Sequence, residues 1–368
     1  MPKLVKRLLI ALLSVTVFFG AAEALLRANG FEYPPLEPIQ VWNRVEDKEI
    51  RLGTSMHEYA ERQMWRPRVG AEVPWGGTIN EFGYRGPALK KEKTPGVLRI
   101  ATLGDSSTFG HSVKYEDTYS AQLEKFLDVA GYDCEVLDAG VVGFTIRQGI
   151  ERYDELVREF QPDIVIEAFG AVNDHLQALQ SVPDKEKIAM NVATGGFWTQ
   201  IGLWLRQDSR IVHFVAKRID LAKGVTSDVR GKVFLERKKE AELDPYVGLV
   251  KFPGKRRVPL DDFEACLLEL EKRVEADGGR LILVSMPRQP EVEAKSPVLL
   301  EYSKMVLDVG ARQGLDVVDG RALFQAALAE GRTVEQLFAD AYHPKPAGHR
   351  LLAQALGKAI VAHLPATK

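Results

Sequence analysis

At 368 residues, with 45% hydrophobic and 27% charged residues, the chain can bury a full core and exceeds the usual span of one simple domain. A formal net charge of -2 supplies no overall basic field, which argues against a nucleic-acid partner. Cys134 and Cys266 stand far apart in separate apolar segments, with no metal-ligand spacing around either, and read as two buried thiols instead of a disulfide.

Lys3, Lys6 and Arg7 precede an apolar run over residues 8–22, the layout of an export segment whose positive end stays in the cytoplasm. Ala22-Glu23-Ala24 offers a small-x-small cleavage site, yet apolarity resumes at Leu25 and Leu26 and brings the run to about the length that spans a bilayer. Residues 1–30 are therefore either a cleaved signal peptide or a membrane anchor over residues 8–26, with Glu23 the misfit in the longer span. Both readings put the remainder outside the inner membrane, in the periplasm or another extracytoplasmic space. Residues 31–95 come next as a tether and N-terminal extension. Pro34, Pro35 and Pro38 mark an extended stretch, because proline fixes φ and removes a backbone donor. Residues 41–68 are expected to hug the surface as a partly helical region, and residues 78–87 (TINEFGYRGP) to turn and pack on the domain that begins near residue 96. Arg85, in that turn, either reaches a functional site or pairs with a carboxylate.

From residue 98 the pattern changes to alternating strands and helices. Short apolar runs predict strands at 98–103, 134–137, 164–169, 280–285 and 315–318, and helical periodicity predicts helices at 119–130, 148–160, 260–276, 299–313 and 346–364. This alternation implies an α/β domain over residues 96–366 with a central parallel sheet covered on both faces. Ligands bind such sheets at the carboxyl ends of the strands.

The chemistry-bearing residues stand at those ends. The first strand runs into Gly104-Asp105-Ser106-Ser107-Thr108, which presents a serine hydroxyl at a glycine turn. Either Ser106 is a nucleophile, with Ser107 the weaker candidate, or Asp and Ser merely cap the next helix. The second strand leads into Asp138-Ala139-Gly140-Val141-Val142-Gly143, where glycines let backbone N–H groups approach a ligand closely. The third leads into Gly170-Ala171-Val172-Asn173-Asp174, where Asn173 offers a side-chain amide. Late in the chain, Asp340-Ala341-Tyr342-His343 sets an acid three residues before a histidine, a spacing at which one turn brings the carboxylate to Nδ1 and leaves Nε2 free to take a proton from serine. His213 and His349 read as structural or surface histidines.

An insertion at about 175–259 interrupts the alternation. Its stretch 197–205 carries Trp198 and Trp204, and Arg237, Lys238, Lys239, Lys255, Arg256 and Arg257 come after it. The segment is either a lid whose basic residues meet an anionic polymer or lipid headgroups, or a solvated helix face packed on the domain.

Taken in order, these four blocks resemble the SGNH/GDSL hydrolase superfamily over most of the chain beyond residue 98. The resemblance implies a three-layer α/β/α sandwich of flavodoxin-like type that cleaves esters, thioesters or O-acetyl groups with no cofactor and no metal. It assigns Ser106 as nucleophile, Asp340 and His343 as acid and base, and Ser106 N–H, Gly143 N–H and the Asn173 amide as the oxyanion hole. Three departures stand out: Ser107 replaces a frequent Leu or Phe, Asp138 a frequent Asn, and Ala171 the usual Gly, with Gly170 one residue early. A Gly-x-Ser-x-Gly elbow is absent around Ser106, which argues against the commoner α/β-hydrolase fold. The expected function is a cell-envelope serine esterase acting on an O-acetylated glycan or on a lipid or short acyl ester. A membrane-tethered O-acyltransferase using the same residues, and a non-catalytic binding or scaffold protein, are the alternatives. Nothing in the chain specifies an oligomeric state.

Overall fold

The computed structural model describes residues 3–31, 40–43, 48–51, 56–176, 182–194, 205, 209–222 and 255–365. Pro34, Pro35, Pro38, Trp198, Trp204, Arg237, Lys238 and Lys239 lie outside them. The chain divides into two compact units, one of residues 1–39 with 193–243 and one of residues 40–192 with 244–368.

The smaller unit contains α1 (Lys3–Ala28), a helix long and apolar enough to cross a membrane. The larger opens with two antiparallel hairpins, β1 (Gln40–Asn43) with β2 (Lys48–Arg51) and β3 (His57–Ala60) with β4 (Met64–Pro67). This corrects the expectation of partial helix over residues 41–68. The second hairpin turns through Glu61, Arg62 and Gln63 with Met64 at φ 64°, and neither glycine nor asparagine marks it as a turn.

The remaining elements alternate. They are β5 (Leu98–Gly104), α2 (Ser106–Phe109), α3 (Tyr119–Val129), β6 (Cys134–Asp138), α4 (Ile146–Glu155), β7 (Ile164–Ala168) and α5 (Asp184–Thr194). In the smaller unit α6 (Arg210–Ala222) is next; back in the larger come α7 (Leu260–Ala276), β8 (Arg280–Ser285), α8 (Pro290–Lys295), α9 (Val298–Gln313), β9 (Asp316–Asp319), α10 (Gly320–Ala329), α11 (Val334–Leu337) and α12 (Pro346–Val361). All five predicted strands and the helices between them are present, with boundaries shifted by a few residues.

The sheet is entirely parallel, in the order β6-β5-β7-β8-β9. Every residue of β7 is buried, and so are all but the first of β5 and β8, as strands covered on both faces require. Alternation along β5 sends Ala101 and Leu103 to one face, where they meet Ile150 of α4, Leu267 of α7 and Val306 of α9. Ile100 points the other way, to Leu123 of α3, Phe324 of α10 and Leu356 of α12. The result is the three-layer α/β/α sandwich.

The strand order reverses between β5 and β7. The chain leaves β5 toward β6 on one side and returns to β7 on the other, which opens a crevice at their carboxyl ends. The 78–87 segment packs on the domain as expected, with Tyr84 in the main core and Ile79 against Phe109 and Trp75. The loop after β6 lies hard against the turn that carries Ser106. A Cβ added at Gly140 would sit 2.4 Å from the backbone nitrogen of Phe109. Gly140→Ala must therefore move backbone, and thermal denaturation should show a loss of about 1–3 kcal/mol, the usual cost of overpacking a buried site.

Candidate active site

Ser106 is the first residue of α2, directly beyond the end of β5. Asp105 caps that helix: it is fully buried, and its Oδ1 accepts from Ser107 N at 2.8 Å. The helix is only one turn long because Gly110 takes φ 82° and ends it. Arg85 locks this turn. Its guanidinium, also buried, donates to the carbonyls of Phe109, Gly110 and Val113, each at 2.8 Å. Of the two roles open to Arg85 it takes neither in simple form, since among the described residues backbone oxygens, and no carboxylate, receive its hydrogen bonds.

The Ser106 hydroxyl lies 2.8 Å from His343 Nε2, and both oxygens of Asp340 lie 2.8 Å from His343 Nδ1. Asp340 Oδ1 also accepts from the N–H groups of Tyr342 and His343 at 3.0 Å, so the acid is held by the turn it begins. Gln289 anchors that turn from outside, through its side chain to the carbonyl of Asp340 and its backbone N–H to that of Ala341. Burial acts to raise the Asp340 pKa, but the facing imidazole and these hydrogen bonds outweigh it and hold the carboxyl well below its usual range. An ionised Asp340 keeps the proton on Nδ1 and leaves the Nε2 lone pair facing the Ser106 hydroxyl. Ser107, by contrast, is buried, and its Oγ has no hydrogen-bond partner among the described residues.

The β6 loop brings up Gly143, at φ 81°. Trp65, on β4, donates from Nε1 to the carbonyl of Val142 at 3.1 Å. That carbonyl belongs to the same planar peptide unit as the Gly143 N–H, so holding one directs the other. Arg257 then takes the Gly143 carbonyl at 2.8 Å while pairing with Asp184 and Gln148. Arg257 is therefore an internal brace and no part of an exposed basic surface. Its neighbours Lys255 and Arg256 pair with Glu186 and Glu301.

The β7 loop brings up Asn173. Its Nδ2 lies 3.3 Å from Asp105 Oδ2, next to Ser106 in sequence, so the early Gly170, at φ 81°, does not carry the amide away from the serine. Asp174 staples the loop: its carboxylate accepts from Ile146 N at 2.8 Å and from Gly170 N at 3.0 Å. Buried Arg288 donates to the carbonyls of Gly170 and Ala171.

Sequence reasoning missed Trp65, Asp174, Arg288 and His111. The His111 ring stacks on His343 with centroids 4.1 Å apart and an interplanar angle of 24°, backed by Trp75. Ligand atoms of His111, Asp340 and His343 lie within 4.8 Å of one another, a spacing a metal can use, but those of the last two are engaged with each other and with Ser106. His349 is buried and accepts from Tyr119 N, a structural role. His213 lies on α6 beside Arg210. Cys134 and Cys266 are free; only Cys266 is fully buried, which corrects the expectation for Cys134.

A GDSL-like lipase/acylhydrolase family model matches residues 102–351, well over half of the chain. The chain belongs to that family. It is accordingly a serine hydrolase of carboxylic esters, built on a five-stranded parallel sheet flanked by helices. Among solved structures it is similar to LAE5, an α/β hydrolase enzyme from the metagenome of Lake Arreo, Spain, at 18% identity over 73% of this chain and 97% of that one, with a TM-score of 0.45. A lipase/acylhydrolase from Enterococcus faecalis matches at 19% identity over 74% and 100%, with a TM-score of 0.46. Axe2, an acetylxylan esterase from Geobacillus stearothermophilus, matches at 19% over 74% and 96%, with a TM-score of 0.44. No curated protein matches the chain.

One more buried acid stands behind this GDSL hydrolase site. Glu167, on β7, accepts from Phe169 N at 2.9 Å, and its other oxygen has no hydrogen-bond partner among the described residues. Burial, then the nearby Asp174 and Asp105, push its pKa up to about 8, and burial pushes that of Asp174 up to about 7. A folded-state pKa raised above the unfolded value gives stability that is complete below about pH 4 and is lost as pH rises through the folded value. Ionisation of Glu167 should therefore cost stability between about pH 5 and 8, so the melting temperature of Glu167→Gln, which keeps an acceptor for Phe169 N, should rise relative to that of wild type across this range; a constant difference between the two would refute the assignment.

Proposed function

We propose that the chain is a membrane-tethered, extracytoplasmic serine esterase that removes a short acyl group, O-acetyl in particular, from an envelope glycan or lipid. The observation that carries the proposal is the continuous relay from Asp340 through His343 to the Ser106 hydroxyl, with both links at 2.8 Å. In this reading His343 takes the Ser106 proton as Oγ attacks the acyl carbonyl, and Asp340 stabilises the imidazolium. The tetrahedral oxyanion accepts from Ser106 N–H, Gly143 N–H and Asn173 Nδ2. His343 then protonates the departing alcohol, and water, deprotonated by the same imidazole, releases the acid from the acyl-enzyme.

The short acyl group is supported by the surroundings of the hydroxyl. Ser106 is only 8% exposed, the polar Asn173 amide meets its neighbour Asp105, and the His111 ring stacks on the imidazole that faces its hydroxyl. A cavity of about 520 Å³ lined by Gln289, Glu291, Val334, Phe338 and Lys345 does not include Ser106. Retention of residues 1–30 as an anchor is supported by Glu23, which accepts from Ser209 Oγ and from the N–H groups of Arg210 and Ile211 at 2.9–3.1 Å. Cleavage after Ala24 would remove that acceptor.

Hydrolysis of p-nitrophenyl esters of two to twelve carbons by the full-length protein in detergent tests the reading. Wild type should prefer acetate, and Ser106→Ala and His343→Ala should each lose more than about 10³-fold in kcat, while Ser107→Ala stays within a few fold. Asn173→Ala should lose about 10²–10³-fold, as removal of one oxyanion donor does. Trp65→Phe, which keeps the ring and deletes its donor, should lower kcat several-fold at nearly constant KM, in line with the ~1 kcal/mol of one neutral hydrogen bond. A folded wild type that turns over no ester unless an acceptor sugar is supplied would instead identify a transferase.

A further inference from the structure

The smaller unit contains an amphipathic helix facing the wrong way for water. Viewed down α6 at 100° per residue, the exposed residues Leu221, Phe214, Arg218, Ala222, Val215 and Ile219 fall within an arc of about 160°. Five of those six are apolar, and the large ones are far from buried: Phe214 is 38% exposed, Val215 49%, Ile219 47% and Leu221 50%. The other side carries His213, which is buried, together with Val212, Ala216 and Lys217, which are partly so, so that two of the polar side chains of the helix are covered while its largest apolar ones are not. A helix bathed in water has the opposite arrangement.

Its partner within the unit is the anchor. The Glu23 carboxylate, set in the apolar α1, accepts from Ser209 Oγ, Arg210 N and Ile211 N, and so caps the N-terminus of α6. Arg27, one turn on, pairs with Glu23 at 2.8 Å. Phe31, after a turn at Gly30, meets Phe214 edge-on at 5.8 Å, and Lys217 lies over the Phe31 ring at 5.4 Å. At 1.5 Å per residue, Arg7 and Arg27 are separated by about 30 Å along α1, the thickness of a bilayer's hydrocarbon core. Glu23 is one turn inside the far boundary, and with Lys3, Lys6 and Arg7 on the cytoplasmic side that boundary belongs to the outer leaflet. An acid at such a depth requires a partner, and α6 supplies one.

We infer that α6 is a membrane-interface helix, tied to the anchor through Glu23, whose Phe214, Val215, Ile219 and Leu221 face beds into the headgroup–acyl boundary of the outer leaflet. Arg218, the one cation on that face, reaches the lipid phosphates from it. The inference rests on α1 being retained as a membrane anchor.

The test uses the full chain in nanodiscs of phosphatidylethanolamine and phosphatidylglycerol, with p-benzoylphenylalanine placed singly at Val215, Ile219, Leu12 on α1, or exposed Val129 on α3. Illumination should yield lipid adducts at positions 12, 215 and 219 and none at 129, read as intact mass, which also reports whether residues 1–24 are present. Adducts at 12 without adducts at 215 and 219, or protein adducts in their place, would overturn the interfacial helix while the anchor stands. Adducts at none of the positions, or a mature chain beginning near residue 25, would overturn the anchor and the inference with it. Glu23→Ala should cut the adducts at 215 and 219 at least five-fold and leave position 12 unchanged, with Glu23→Gln, which retains one acceptor, in between; unchanged yields would overturn Glu23 as the tie.

Discussion

The pairing of β5 with β7 is the constraint on which the site depends. These two parallel strands are neighbours in the sheet, while their connecting helices pass to opposite sides, so the loops beyond their carboxyl ends diverge and leave room between them. Ser106 leaves one strand and Asn173 comes after the other. Asp105 bridges them, capping α2 with one oxygen and meeting the Asn173 amide with the other. Had the strand order been different, the same residues would be ordinary caps and turns on separate edges.

Loops without ladders of their own need another source of rigidity, and here buried arginines supply it. Arg85 binds three carbonyls of the turn after Ser106, Arg257 binds the carbonyl of Gly143, and Arg288 binds those of Gly170 and Ala171. The planar guanidinium suits this task, because its five donors in a fixed fork satisfy carbonyls that no strand partner reaches. Burial lowers the pKa of Arg85 and Arg288 to about 10, which leaves both charged at neutral pH. The acids are distributed to match. Asp340 is stabilised as an anion by the imidazole it faces, whereas Glu167 and Asp174, packed beneath the β7 loop, are driven toward their neutral forms.

Much of this was legible in the chain. Short, mostly apolar runs such as LRIATL and RLILVS suit strands of a sheet covered on both faces, and their alternation with helical periods implied a parallel α/β sandwich. The residues proposed for chemistry were legible too, because serine at a strand end, an acid three before a histidine and glycine-bearing loops carry their geometry in local spacing. Tertiary structure alone decided what reaches them. Trp65 lies 77 positions from Val142, Arg288 lies 118 from Gly170, and no local pattern couples such pairs. It also decided the meaning of Glu23 and of Arg257. Glu23 reads as a flaw in an apolar span and is the cap of a helix 187 residues on, while Arg257 reads as surface charge and is an internal brace. Periodicity and spacing report what a segment does with its own neighbours, while the partner of a buried polar group is set by where the chain has folded back.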